Sequence, residues 1–183
     1  EAPEKMKTHV DQEYGFTFEY SARYRLNVLG KGGFLDFRDE KNGLVLNASI
    51  EDDLFRDFIR ESRNKENLFH RFARKRIEVM CAADGPDGTV YCSGIKKERN
   101  SISSNGFPSV EFLIEMTSEH YDEDGKKTVE VTKVGPYYMV DISRKNPPMI
   151  LLVYPPHGDL ADESIRNLEL QIVNSLRLEQ PLK

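Results

Sequence analysis

The sequence contains no tryptophan and only two cysteines among its 183 residues. Two cysteines cannot staple a disulfide-rich scaffold. Without CxxC spacing they also supply neither a redox motif nor paired zinc ligands. Long apolar runs are missing too. The longest, Met149 to Tyr154, falls far short of the roughly 20 residues a membrane-spanning helix needs. Basic residues number 26 against 31 acidic ones, a net charge of −5, which makes nucleic acid a poor partner. None of the four histidines, His9, His70, His120 and His157, sits by a nucleophile elbow or in an HExxH pair. Gly30-Lys31-Gly32-Gly33 lacks the closing Lys-Ser/Thr of a phosphate-binding loop and is followed by a strand pattern rather than a helix. No catalytic signature and no cofactor motif emerges, so the expectation is a protein that is not an enzyme.

What is present is the composition of a water-soluble globular chain, 38% hydrophobic and 31% charged, long enough for a substantial core. No repeat or linker divides it. Residues 13–180 read as one domain behind a flexible polar lead, 1–12. The chain begins Glu1-Ala2-Pro3-Glu4, with no Met, as a mature exported protein does after loss of a signal peptide, with or without a lipid anchor upstream of Glu1. A shortened chain begins the same way.

The order of patterns is α+β. Phe16, Phe18 and Tyr20 alternate with polar residues, as do Tyr24, Leu26 and Val28. Phe34 to Phe37 and Leu44 to Ile50 follow, giving four strands before any helix. From Asp53 the period becomes helical: Leu54, Phe55, Phe58 and Ile59, then Leu68, Phe69 and Phe72. This is one bent helix, or two broken near Ser62-Arg63-Asn64. Lys96 to Gly106 reads as a polar loop. Val110 to Met116 reads as a strand, turned back at Tyr121 to Lys127 into Val129–Val134 and Tyr137–Ile142, and Met149 to Tyr154 as a fully buried strand. Asp162 caps a last helix whose Ile165, Leu168, Ile172, Val173 and Leu176 form one face, with Arg166, Glu169 and Asn174 read as the opposite one. The fold class is α+β, a mostly antiparallel sheet flanked by helices.

The cysteines frame "CAADGPDGTVYC". Gly85-Pro86-Asp87-Gly88 is turn chemistry, and Ile77, Val79 and Cys81 alternate before it as Val90 and Cys92 do after it, which predicts a β-hairpin. A two-residue loop sets Cys81 opposite Cys92, whereas a three-residue loop with a bulge at Gly88 sets them diagonally. Direct opposition favours a disulfide. The other reading is two small buried hydrophobes in a reduced protein.

Six stretches also carry a resemblance. "YGFTFEY" near the start, the "GGFLDF" and "GLVLNASI" strands, and the closing "VGPYYMVDIS", "PPMILLVYPP" and "IVNSLRL" together resemble the PsbP-like family. That family opens Tyr-x-x-x-x-Gly-Phe-Ser-Phe-x-Tyr-Pro and then Trp; here Ser21 stands for the Pro and Tyr24 for the Trp. The likeness covers both ends of the chain. It implies an α/β/α sandwich and a non-enzymatic role on the far side of a membrane, where bacterial relatives are exported or lipid-anchored and have no photosystem partner.

Two clusters are candidate binding chemistry. The cationic run Arg56, Arg60, Arg63, Arg74, Lys75 and Arg76 could dock an anionic partner or lipid headgroups. Arg56, Arg60 and Arg63 fall on one helical face opposite Phe55 and Phe58, where a solvated face is expected. His120, Asp122, Glu123 and Asp124 gather hard metal ligands, yet lack the spacing of a calcium loop, and Asp-Gly is what a hairpin needs anyway. No metal site is expected. The expected function is that of a non-enzymatic exported accessory or binding protein of the cell envelope, periplasmic or membrane-anchored on that side, contacting another protein or an envelope component. The alternative is a ligand-binding protein or enzyme with a pocket between sheet and helices, lined by Tyr137 and Tyr138.

Overall fold

The computed structural model describes residues 4–30, 33–81, 90–143, 148–156 and 160–179. Among these residues ten strands and three helices run in the order β1 (Met6–Asp11), β2 (Phe16–Ser21), β3 (Arg25–Leu29), β4 (Phe34–Arg38), β5 (Leu44–Glu51), α1 (Asp53–Glu61), α2 (Leu68–Cys81), β6 (Val90–Ile102), β7 (Pro108–Tyr121), β8 (Lys127–Asp141), β9 (Ile150–Tyr154), α3 (Glu163–Ser175) and β10 (Arg177–Leu178). Seven strands form one sheet, β3-β4-β5-β9-β8-β7-β6, and every pairing in it is antiparallel. β1, β2 and β10 form a second, three-stranded sheet.

The unbroken apolar run of β9 explains the layering, because both faces of this strand are covered. Leu151 and Val153 join Tyr138 and Val140 in a core with α3 (Leu168, Ile172, Val173) and β2 (Phe16, Phe18, Tyr20). Ile150 and Leu152 join Tyr137 and Met139 in a second core with α1 (Phe55) and α2 (Phe69, Phe72, Ala73, Ile77). The α+β class and the helix-flanked antiparallel sheet expected from the sequence are therefore present. β7 and β8 lose register between Phe112 and Ile114, with the extra residue of the bulge on β8 near Gly135-Pro136. Gly135 has φ of 113°, and a Cβ there would lie 3.0 Å from the Phe112 carbonyl oxygen, so the bulge requires glycine.

Several sequence expectations need correction. Ile77, Val79 and Cys81 belong to α2, not to a hairpin strand: the helical spacing of Phe69, Phe72, Ala73, Ile77 and Met80 continues through them, and Val79 points outward, 56% exposed. The turn Gly85–Gly88 lies outside the described residues. The loop read from Lys96 is strand β6 as far as Ile102, its alternation disguised by two register shifts. Met6–Asp11 of the polar lead is β1, hydrogen-bonded along its length to β2. Val129–Val134 and Tyr137–Ile142 are one strand interrupted by the bulge. Tyr137 and Tyr138 fill the two cores, 6% and 5% exposed, rather than line a pocket between sheet and helices.

Cys81 and Cys92 form a disulfide all the same, with Cα atoms 5.0 Å apart. It ties the last residue of α2 to the edge strand β6, a helix-to-strand bridge instead of a cross-strand one. With a separation of 11 residues, chain entropy allows about 3 kcal/mol. Reduction should lower the melting temperature by roughly 5–10 °C while the far-ultraviolet dichroism stays native. Outright unfolding on reduction, or no shift at all, would contradict this placement.

Glu169 is the other correction. It lies within the α3 stripe, four residues from Ile165 and from Val173, and is fully buried, its two carboxylate oxygens without a hydrogen-bond partner. Burial pushes its carboxyl up to about 9; nearby Arg166 opposes the rise and Glu111 adds to it. The unfolded chain releases this proton near 4.5, so between these values the native state holds the extra proton and stability falls as pH rises. Each unit in that window costs about 1.4 kcal/mol. The melting temperature should be higher at pH 5 than at pH 8.5, and Glu169→Gln should raise it at pH 8.5 and flatten the profile. A wild-type profile as flat as the variant's would remove Glu169 from the account.

Candidate functional site

α1 and α2 bury Phe55, Phe69, Phe72, Ala73 and Ile77 against the sheet, which turns a second set of residues toward each other at the surface. On α1 these are Leu54, Asp57, Phe58 and Glu61; on α2 they are Phe72, Lys75, Arg76 and Val79. Both sets follow the i, i+3, i+4, i+7 spacing of a single helix face. Between them runs a groove of about 280 Å³. Phe58 and Phe72 meet edge-on at its floor, ring centroids 5.5 Å apart, while Leu54 and Val79 flank it more than half exposed. Asp57 and Glu61 place acid on the α1 wall, and Lys75 places a cation on the α2 wall. The Lys75 ammonium lies 5.6 Å from the Phe58 ring centre, so its stem and charge both cover aromatic surface.

Arg76 anchors this arrangement. Its guanidinium donates two hydrogen bonds to Glu51 at the end of β5, at 2.7 and 3.0 Å, and the pair is largely withdrawn from solvent. The bonds to Glu51 raise the guanidinium's already high pKa, against the opposing effect of burial. Arg76 and Leu54 also border a second cleft, of about 430 Å³, lined by Phe34, Glu51, Met80 and Tyr154. There the Tyr154 phenol is pushed up, first by burial and then by Glu51, and its ring stacks on Tyr137 at 6.0 Å.

The structure disperses the cationic run. Arg56 bonds Asp53, and Arg60 meets Asp57 at 3.0 Å. Arg74 bridges Glu78 at 3.0 Å and Glu98 at 2.7 Å, and Arg76 is held by Glu51. Arg63 does not share the face of Arg56 and Arg60, because α1 ends at Glu61 with Ser62 as its C-cap. Of the six cations, Lys75 and Arg76 line the groove. In the β7–β8 turn, the Asp122 carboxylate accepts from the backbone N–H groups of Asp124 (3.1 Å) and Lys126 (2.7 Å), so it shapes the turn. His120 is exposed on β7 beside it. Among the described residues, no group of three or more His, Cys, Asp or Glu is placed to hold a metal ion. Sequence reasoning placed Leu54 in a helical stripe and Val79 in a hairpin strand, and read none of Leu54, Asp57, Glu61 and Val79 as site residues. Their signal was the repeated i, i+3, i+4, i+7 spacing on both helices, set one face round from the buried stripe.

Because Arg76 is the partner of a buried carboxylate, Arg76→Ala should destabilise the protein by about 2–4 kcal/mol, most of it the penalty of an unpaired Glu51. Arg56→Ala and Arg60→Ala, removing exposed pairs, should each cost under about 1 kcal/mol. Chemical denaturation of the three variants measures this, and an equal cost at all three positions would contradict the clamp.

Neither a family model nor a curated protein sequence matches the chain. Among solved structures it is similar to the solution structure of cyanobacterial PsbP (CyanoP) from Synechocystis sp. PCC 6803. That likeness covers 97% of this chain and 94% of the other, with a TM-score of 0.50 and 11% identity. It is also similar to the crystal structure of the Saccharomyces cerevisiae Ran-binding protein Mog1p, covering 96% of each chain with a TM-score of 0.46 and 6% identity. With the strands "YGFTFEY" and "GGFLDF" now placed as β2 and β4, and α3 packed on the face that β2 shares, the chain has a PsbP-like fold.

Proposed function

We propose that this is a non-enzymatic binding protein of an exported, oxidising compartment, docking an amphipathic helix of an envelope protein in the α1–α2 groove. The groove carries the reading: it is apolar along its floor, exposed at Leu54 and Val79, and bordered by acid on one wall and a cation on the other. Grooves between two helices accept helices whose apolar residues recur at the same spacing as their own walls. The occupant presents an apolar ridge, with basic residues along its flank toward Asp57 and Glu61 and acidic residues toward Lys75. The volume, about 280 Å³, lies just below the usual range of small-molecule pockets and suits one or two anchoring side chains. The Cys81–Cys92 disulfide supports the compartment, since such bonds persist outside the reducing cytosol. A lipid anchor upstream of Glu1 would hold the protein at a membrane surface. No helix among the described residues is long and apolar enough to cross one.

A photo-crosslinking amino acid placed at Val79 in producing cells should yield one discrete adduct with an envelope protein, and Leu54→Asp should abolish it. The same crosslinker at Ile102, which is 74% exposed on β6, should yield none. An adduct that survives Leu54→Asp, or that forms equally at Ile102, would refute docking in the groove. Recovery of the protein with two alkylatable thiols from its native compartment would refute the export reading separately.

A further inference from the structure

We propose that β8 self-associates: its open edge, Lys127 to Lys133, pairs antiparallel with the same edge of a second copy, the two-fold axis passing at Val129. This surface is independent of the α1–α2 groove. β8 has 15 residues, but β9 pairs with it only from Tyr138 to Asp141. β9 cannot continue alongside, because Pro155 and Pro156 follow Tyr154 and neither has an N–H to give the ladder. The chain touches β8 again at the bulge, where Leu160 bridges Gly135 and the Ala161 N–H donates to the Gly135 carbonyl at 2.8 Å. Beyond that point, among the described residues, β7 is the one strand bonded to Lys127–Val134. All seven residues of Lys127–Lys133 are exposed, and Val129 and Val131 lie side by side on one face at 50% and 54%. An edge of this length offers unpaired backbone donors and acceptors in a ready-made row.

The occupant is read from the sequence of the edge itself. Lys127-Thr-Val-Glu-Val-Thr-Lys133 is a palindrome, so an antiparallel copy matches it residue by residue. A two-fold axis normal to the sheet keeps each residue on its own face and allows only partners of like parity. Centring on Glu130 gives the longest ladder but sets Glu130 against Glu130 and Lys127 against Lys133, and like charges directly opposed are destabilising. Centring on Val131 runs Lys127 into Gly135, where Leu160 already sits. Centring on Val129 avoids both. Val129 meets its own copy, Lys127 lays its aliphatic stem on Val131, and Thr128 faces Glu130, which moves the two Glu130 carboxylates from direct opposition to a diagonal, with Lys126 of the turn on the other diagonal of each. Lys133 of each copy comes alongside the acidic turn 122–124 of the other. The lysines that guard the edge against indiscriminate pairing thus become complementary in one register. A contact of two short strands lies at the small end of specific interfaces and makes a weak dimer, populated at high protein concentration or on a crowded membrane surface.

Sedimentation equilibrium should show concentration-dependent dimerisation of the wild-type protein that Val131→Lys abolishes without changing the melting temperature. Mild oxidation of Val129→Cys should trap most of the protein as a covalent dimer, and Glu130→Cys or Val131→Cys should trap at least tenfold less. A wild-type protein monomeric up to millimolar concentration, association that persists in Val131→Lys, or equal trapping at Glu130→Cys would each overturn the proposal.

Discussion

The molecule is organised by one constraint: β8 and β9 pass through its centre with apolar side chains on both faces, and neither face can be left open to water. Ile150, Leu151, Leu152 and Val153 are all at most 2% exposed, divided alternately between two cores. Fully burying side chains of this kind stabilises by about 1.5–3 kcal/mol each, which no surface ion pair here approaches. The helices are therefore forced to opposite faces. α3 and the three-stranded sheet close one side; α1 and α2 close the other. Polar detail is tolerated where it does not disturb this division, and Glu169 marks its limit: an acid in the middle of the α3 stripe survives burial by keeping its proton.

The groove is a consequence of the same packing. Two short helices laid on a sheet through aromatic residues leave a furrow where their axes diverge, and here Phe58 and Phe72 form its floor. Its α2 wall is fixed at two points. Arg76 ties the middle of α2 to Glu51 of β5, and the disulfide ties its end to β6. Preorganisation of this sort reduces the ordering cost of binding. It also explains why most of the cations in this region face inward or toward a neighbouring carboxylate. Of these cations, Arg76, through Glu51, and Arg74, through Glu98, tie α2 to the sheet; the other pairs lie within one helix, and the furrow itself is left apolar with sparse, opposed charges.

Much of this was legible in the residues. β9 as an apolar run, the alternation of β2, β4 and β5, and α3 with its Asp162 cap are local signals that tertiary packing did not override; the Asp162 carboxylate accepts from the Ile165 N–H at 2.9 Å, as a cap should. The failures have physical causes. Ile77, Val79 and Cys81 satisfy a period of two, while Ile77 and Cys81 alone also fit a helical spacing, and the sheet face beneath Ile77 decides for the helix and leaves Val79 in water. β6 is an edge strand with two irregularities, near Gly94 and near Lys96, so its alternation flips twice and reads as noise. β1 exposes its apolar residues, Met6 and Val10, and turns His9 and Asp11 inward, so it lacks an inward apolar alternation and depends on pairing with β2. The groove was hidden for a different reason. Its residues are ordinary surface residues one at a time, and become a site only when two helices are set side by side.

The sheet also explains why an edge is open at all. β9 is short because Pro155-Pro156 turns the chain away, and the turn is needed to return α3 to the far face. β8 must be long enough to reach both β9 and the full length of β7. Among the described residues the mismatch leaves half of β8 without a second neighbour strand, and the bulge at Gly135 falls where the paired half ends and the open half begins. Valine at 129 and 131 keeps that open half extended, since branched side chains favour the strand, while Lys126, Lys127 and Lys133 keep it from pairing at random. Alternating β-branched and charged residues thus keep the edge extended and exposed while charge guards it, so the same side chains that hold the strand's shape also limit what can lie against it.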